Sequence, residues 1–584
     1  MRSTAENFDR ETMLARLASE EFDLVVVGGG ITGLGVALDA ATRGLRVALV
    51  ERGDFASGTS SKSSKLVHGG LRYLQQGEVR LVYEALHERQ RLRRNAPHLV
   101  SVLPFMLPVL TRDGLISRKI ARALGSALWM YDLTGGARIG RVHRRIRKSR
   151  ARALIPTIDA TRLASAYIYY DAQADDARLC LALARSAADA GAAVVNYVSA
   201  ERILRSSDGS VTGLEVRSAG RRSLAHVGAP ESFVIRAPLV INAAGVWCDE
   251  IGRLDHKSSA TTATNPDTIR PAKGVHVTIP WSKVRNQIAV VIPVPKDRRS
   301  LFVVPWGPLP DGGFTHTYVG TTDTDYRGPL DDPQCTKDDI DYIVRALNAN
   351  LSTEIGSADI TAVWAGLRPL VKQVNAAEGT GLSGKAARTA DLSRRHLVRS
   401  AGDGIITVTG GKLTTYREMA EDTVDRAVQE LRRIDPGVRH GRCRTRRHRL
   451  HGATRSASVP KSSRGRHLFH RYGTDATAVE SLIAAQPHLG ETVIDGLPYV
   501  GAEVVYAVRH EMAVTLDDVL SRRTRALLFD RRSALLAAPA VAEIMAEILG
   551  WNEERIVREI DAFAELCHHE ETSALVSESE LHPA

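Results

Sequence analysis

Three glycines mark where this chain can do chemistry. Gly28, Gly30 and Gly33 form a G-x-G-x-x-G between the apolar run FDLVVV and the Ala-rich stretch LGVALDAATRG, so the motif joins a strand to a helix. In that setting the first glycine permits a tight turn and the second lets the backbone approach a pyrophosphate. The third lets helix and strand pack closely, with the helix N-terminus facing the phosphates. Gly29, Ile31 and Thr32 complete the turn. Glu51 ends the next strand, LRVALVE, where a carboxylate accepts from a ribose hydroxyl and disfavours the 2′-phosphate of NADP. The loop from Gly58 to Tyr73 follows, with Thr59, Ser60, Ser64, Lys65 and Leu66 as candidate contacts to a pyrophosphate and a flavin edge. Much later Gly410-Gly411-Lys412 precede a second helix, whose N-terminus can stabilise developing negative charge. Two glycine-lined helix starts far apart in the chain suit an elongated cofactor, and FAD is the expected one.

These residues need a scaffold that spacing partly predicts. Residues 7–19 read as a short amphipathic lead helix, and 22–51 as a strand–helix–strand unit. Residues 78–95 read as a helix, and 101–110 as a strand whose prolines place it at a sheet edge. Helix 177–191 precedes hairpins with a turn at Asp208-Gly209, then a buried strand from Val240 to Gly245, itself a candidate cofactor contact. Residues 273–325 are strand-like pieces, and 404–411 a strand running into the second glycine pair. The Arg/His/Ser-rich stretch 436–472 lacks apolar periodicity and reads as a linker or exposed loop, whereas 476–568 is again helical. The expected fold class is α/β: a discontinuous Rossmann-like FAD-binding domain, a β-rich substrate domain and a small C-terminal all-helical domain. The corresponding bounds are a lead helix at 1–20 and an oxidoreductase region at 21–431, then a basic linker at 432–475, helices at 476–570 and a tail at 571–584. Within 21–431 the FAD domain takes about 20–105, 172–260 and 390–431, and the substrate domain about 106–171 and 261–389.

Composition narrows the function classes. At 584 residues, 43% hydrophobic and 25% charged, the chain is neither disordered, fibrous nor polytopic. It shows no secretory h-region and no apolar run near about 18 residues, so a cytoplasmic protein is expected, with peripheral association at the inner face of the cell membrane left open. Five dispersed cysteines predict neither a disulfide framework nor a metal site. The net charge of +11 is concentrated in two stretches. Eleven Lys/Arg against one acid lie between Ile116 and Arg152, and thirteen against one between Arg432 and Arg471. In the first, Arg118, Lys119 and Arg122 stand near Leu124, Leu128 and Trp129, a combination that suits an anionic membrane surface. The second suits lipid headgroups or nucleic acid, but with Phe469 as its only aromatic residue it offers little base stacking, so no specific nucleic acid is expected.

Four segments, GGGITGLG, TSSKSSKLVHGGLRYL, GLRPL (366–370) and GGKLTTYREMA (410–420), resemble the FAD-dependent, quinone-linked glycerol-3-phosphate dehydrogenases. YDLTGG, TYVGTTDTDY and INAAGVW support the resemblance, which runs from about Glu20 to Leu431 and is expected to continue into the C-terminal helical domain; the 436–472 stretch does not carry it. The resemblance implies oxidation of sn-glycerol 3-phosphate to dihydroxyacetone phosphate, with hydride leaving C2 for the flavin N5 and electrons passing to a quinone. It also implies substrate contacts from Arg72, Arg368 and Arg394, the last shadowed by Arg395. A guanidinium matches phosphate bidentately, Tyr73 can add a hydroxyl donor, and Lys412 can approach flavin and substrate. The base is open among His68, Lys412 and His276, in that order, and Lys412 or Arg368 can instead stabilise the alkoxide by charge. Cys248, Trp247 and Trp364 read as core. A glycerol-3-phosphate oxidase making hydrogen peroxide is the near rival, and an amino-acid oxidase a weaker one. A flavin-binding regulatory protein with a nucleic-acid-binding linker is the rival of another class. A homodimer is compatible with all of these.

Overall fold

Leu24–Val27 and Val47–Val50 are four-residue runs buried at every position, which suits strands covered on both faces. They pair in parallel at the centre of a six-stranded sheet ordered 396–400, 405–410, 240–242, 24–27, 47–50 and 193–195, with only the first strand antiparallel. The computed structural model describes residues 8–70, 78–111, 121–133, 135, 139–218, 232–255, 268–297, 299–371, 396–454 and 459–581. Helix Ile31–Thr42 is built from Ala, Gly and small aliphatics and lies against Asp176–Asp189 and Tyr416–Ile434. The close approach to the latter depends on Gly35, where a Cβ would stand 2.8 Å from the Tyr416 ring. The strands come from three separate parts of the chain, and a three-stranded antiparallel sheet (198–205, 211–218, 232–236) extends this layer.

A ten-stranded mixed sheet forms the second body. Two of its long strands, Val100–Leu110 and Leu163–Ala174, pair along almost their whole length. This corrects two expectations. The strand read at 101–110 is interior, with Leu163–Ala174 on one side and Ala289–Pro293 on the other. Its prolines are tolerated because Pro104 and Pro108 are four residues apart and so lack donors on the same side, and pairing with Ala289–Pro293 is confined to Phe105 and Met106. The domain boundaries read at 105/106 and 171/172 also fall inside these two strands, so both belong whole to the second sheet.

The α/β reading with a helical C-terminal part holds. Helices Ser463–Tyr472, Ala476–Ala485, Gly501–Glu511, Arg531–Leu549 and Glu553–Ser573 surround a core that includes Val504, Leu520, Val541 and Met545. The 436–472 stretch, however, is not a solvated loop. Gly441 N–H donates to Arg43 O at 2.7 Å, Leu450 N–H to Asn95 O at 2.9 Å, and Asn95 Nδ2 to Thr445 O at 3.0 Å. Thr445 Oγ1 donates to the buried Asp39 carboxylate at 2.8 Å, and Leu450 is buried. Residues 463–472 form a helix that Ser462 caps by accepting from Gly465 N–H at 3.1 Å. The segment docks through backbone and polar contacts, which leave no hydrophobic period to read.

His451 joins two bodies within that segment. Its Nδ1 meets Asp189 at 2.7 Å and its Nε2 meets Asp475 at 2.8 Å. Burial lowers its pKa, but the hydrogen bonds from Asp189 and Asp475 outweigh this and raise it above 6.5. A raised histidine pKa contributes stability in full below the unfolded value, and that contribution is lost as pH rises through the folded value. The melting-temperature gap between wild type and His451→Asn should therefore be widest below the unfolded value of about 6.5 and narrow as pH rises through the folded value. A gap independent of pH would mean that folding does not shift the His451 pKa.

Candidate active site

One cavity of ≈ 830 Å³ runs between the two sheets and is lined by the fingerprint turn, the loop after Glu51, and the second glycine pair. The turn has the steric logic read from sequence. Gly28 takes φ +114, and a Cβ on Gly33 would stand 1.9 Å from Gly28 O. Gly30, Ile31 and Thr32 line the cavity, whereas Gly29 and Gly33 brace the turn from behind. Gly29 N–H donates to Glu51 Oε2 at 2.6 Å and Gly53 N–H to Oε1 at 2.8 Å. Burial pushes the Glu51 carboxyl up, and these two amides oppose it. Each oxygen retains a second lone pair for a ribose hydroxyl. Ser60 Oγ accepts Ile31 N–H at 2.9 Å, tying the loop to the helix N-terminus.

Thr59, Ser64, Leu66, Gly245, Gly410 and Gly411 also line the cavity. Thr59 Oγ1 donates to Leu367 O at 2.6 Å. Lys65 does not line it, which corrects its reading as a cofactor contact. With φ +57, its ammonium is buried 3.5 Å from Asp176 and 4.4 Å from the Trp364 ring centroid. Burial, then Arg525, bring its pKa down to about 7 against the pull of Asp176.

Four of the proposed substrate residues converge on the cavity: His68, His276, Arg368 and Lys412. His68 N–H donates to Thr414 Oγ1 at 3.2 Å, which joins the first loop to the turn after Gly411. His276 lies on strand Ile269–Pro280, buried, with Nε2 2.8 Å from Ser64 Oγ and its ring stacked on Trp364 at 4.8 Å. Burial, Lys65 and Arg368 hold its pKa well below 6.5, so it is a neutral imidazole and no cation for phosphate. Arg368, on strand Ala362–Val371, donates through Nη1 to Lys273 O and Asp323 at 3.2 Å each, and through Nη2 to Thr321 Oγ1 at 2.9 Å and Thr322 O at 3.1 Å. A Cβ on Gly274 would stand 2.3 Å from Nη2, so that glycine makes room for the guanidinium. Arg72, Tyr73 and Arg394 lie outside the described residues.

Sequence reasoning missed Gly274, Thr414 and Trp247. Trp247 was read as core but lines the cavity, with Arg52 stacked 4.7 Å over its ring and Gly58 close beneath. Its place directly after the Gly245 turn (φ +62) was the available signal. Trp364 is core, as read, and Cys248 is buried with its thiol pushed up to about 12 by burial, which suits no redox role.

Residues 23–417 match the FAD dependent oxidoreductase family, and 443–556 match the C-terminal domain of alpha-glycerophosphate oxidase. Glycerol-3-phosphate dehydrogenase 2 of Mycobacterium tuberculosis is 39% identical over 559 residues, covering 93% of this chain and 88% of that one. The mitochondrial glycerol-3-phosphate dehydrogenase of Mus musculus is 36% identical over 588 residues, covering 96% and 75%. The chain belongs to the FAD-dependent glycerol-3-phosphate dehydrogenase family. A structure of such a dehydrogenase from Bacillus halodurans, complexed with FAD, superposes with a TM-score of 0.73 at 28% identity over 98% of both chains. The cofactor of this family member is FAD, and its residues fit that group. The turn at 28–33 has no side chain where a pyrophosphate approaches, Glu51 stands at the ribose end, and the cavity continues to Gly410-Gly411. The match beginning at 443 also brings most of the arginine-rich stretch into the family, contrary to the sequence reading.

Proposed function

We propose that this enzyme oxidises sn-glycerol 3-phosphate to dihydroxyacetone phosphate and passes the electrons to a quinone. The observation that carries the reading is a cavity with a dinucleotide cradle at one end and, at the other, Arg368 and Lys412 beside a neutral buried His276. Bound FAD supplies the acceptor for the hydride leaving C2. Arg368 and Lys412 supply positive charge to the phosphate dianion and so orient C2. His276, neutral and fixed by Ser64, takes the hydroxyl proton; its lowered pKa and its contact with Ser64 support it over His68 for that role. Leu66 and Trp247 give the cavity apolar wall surface. Anaerobic titration of the purified holoenzyme with glycerol 3-phosphate tests the reading: flavin absorbance bleaches, glycerol leaves it unchanged, and quinone restores it faster than oxygen does. Failure to bleach would refute the substrate, and faster recovery with oxygen would favour an oxidase.

No helix among the described residues is long and apolar enough to cross a membrane, so a quinone must be met at a surface. The helix Ala121–Leu133 offers one, although Leu128 is fully buried and cannot insert as read. Trp129, Met130 and Leu133 are exposed instead, and Arg144, Arg145 and Arg147 stand exposed on the adjoining strand. Arg118 and Lys119, and the side chains of Arg122 and Leu124, lie outside the described residues. Binding to anionic vesicles should weaken as salt screens the charges over a Debye length of about 8 Å. It should also weaken in Trp129→Ala, with water-soluble acceptor activity kept. Sedimentation of Trp129→Ala with liposomes as fully as wild type would place the membrane face elsewhere.

A further inference from the structure

The helical C-terminal domain grips the catalytic region through the segment 521–531. Arg525 is fully buried in left-handed backbone (φ +69), and its Nη2 donates to Ser61 O at 2.7 Å and to Asp176 Oδ1 at 2.8 Å. Asp176, also fully buried, accepts from Ser63 N–H at 3.2 Å, from Ser63 Oγ at 2.7 Å and from Lys65 Nζ at 3.5 Å. Ser64 stands between those two anchored residues. Its Oγ meets His276 Nε2, and its carbonyl accepts from Tyr318 Oη at 3.0 Å. The grip extends to the strands behind His276. Leu528 O accepts from Thr278 Oγ1 at 2.7 Å, Phe529 O accepts from Thr361 Oγ1 at 2.7 Å, and the Phe529 ring stacks on Trp306 at 3.7 Å. Thr278 is two residues beyond His276 on its strand, and Thr361 immediately precedes the strand of Trp364.

Residues 54–62 are successive turns with no sheet ladder to fix them, and strand pairing begins only at Leu66. Their position is therefore set by the groups they are tied to. A buried Arg–Asp pair is weak support for stability, because desolvating both charges offsets their attraction, and its best-attested use is to select one arrangement among several. We propose that Arg525 is a positioning residue for substrate oxidation: by joining Ser61 to Asp176 it holds the 61–65 turn so that Ser64 fixes the tautomer and orientation of the His276 ring. The C-terminal domain is then part of the active-site scaffold. The inference rests on the reading that glycerol 3-phosphate is oxidised beside His276.

The test is the rate of anaerobic flavin bleaching by glycerol 3-phosphate in the full-length holoenzyme, per bound flavin. Arg525→Ala and Ser64→Ala should each slow it about ten- to a hundredfold, the scale of an ångström-sized misplacement. The double variant should be no slower than the worse single one, since both act through one contact. In Arg525→Ala flavin content and reoxidation by acceptor should be unchanged, and added guanidinium should recover rate in that variant alone. Losses that multiply in the double variant, or wild-type bleaching by Arg525→Ala, would overturn the proposal. Should Arg525→Ala fail to fold, Asp176→Asn keeps shape while weakening the same tie. Slow bleaching with flavin retained then supports the proposal, and a wild-type rate overturns it. A wild-type enzyme that glycerol 3-phosphate does not bleach sinks the substrate reading and this proposal with it, whereas normal wild-type bleaching confines any failure to Arg525.

Discussion

A Gly30→Val protein is expected to be colourless. Gly30 lines the cavity at the helix N-terminus, and a Cβ there stands 3.0 Å from Ser60 Oγ, the atom that accepts Ile31 N–H. The γ-methyls of valine would crowd Ser60 and fill the space a pyrophosphate needs to reach the amides of Ile31 and Thr32. Both effects act on the phosphates, which gain their stabilisation only by close backbone approach at the helix start. Flavin content, read as absorbance near about 450 nm after purification, should fall to background. The fold should survive, because the cores of the two sheets lie elsewhere. A variant that keeps full flavin occupancy would show that the cofactor does not lie along the 28–33 turn.

Arg368→Ala should lower kcat/KM for glycerol 3-phosphate by about ten- to a hundredfold, the worth of a charge-assisted contact of roughly 1.5–3 kcal/mol. The structure adds two consequences. Asp323 is nearly buried and loses its ion pair, so a fall in melting temperature should accompany the loss. Arg368 also helps depress the His276 pKa, so its removal should raise that pKa. The base is active when neutral, so activity fails as pH drops through its pKa, and the acid limb of the kcat/KM profile should move to higher pH. Arg368→Lys should keep the limb nearer its original place, because the charge is kept, while losing the hydrogen bonds by which the fork is held to Lys273, Asp323, Thr321 and Thr322. Steady-state kinetics against pH, with glycerol as the substrate lacking phosphate, checks both. Equal losses on the two substrates, with the acid limb unmoved, would make Arg368 structural.

The parts of this protein that its sequence determines are those built from backbone geometry within a short span. The glycines at 28, 30 and 33 and the acid at 51 lie inside one strand–helix–strand unit, and their expected roles follow from local sterics and chain direction, so they were legible; Gly28, Gly30 and Glu51 line the cavity and Gly33 packs behind the turn. The helical C-terminal part was legible for the same reason, through its apolar period. Tertiary structure alone decided which way neighbouring side chains face. Ser64 and Leu66 line the cavity while Lys65 between them turns to Asp176 and Trp364, because its left-handed backbone (φ +57) swings the side chain away and no sequence period marks that turn. Trp247 became a cavity wall, and His276 is met by Ser64 from the loop after Glu51 and by Trp364 from the strand paired with its own, neither near it in the chain. Residues 436–454 dock by hydrogen bonds to Arg43, Asn95 and Asp39, partners some 350 to 400 residues away in the chain. Backbone donors and paired charges are the same in every sequence window, so only the fold specifies which of them meet.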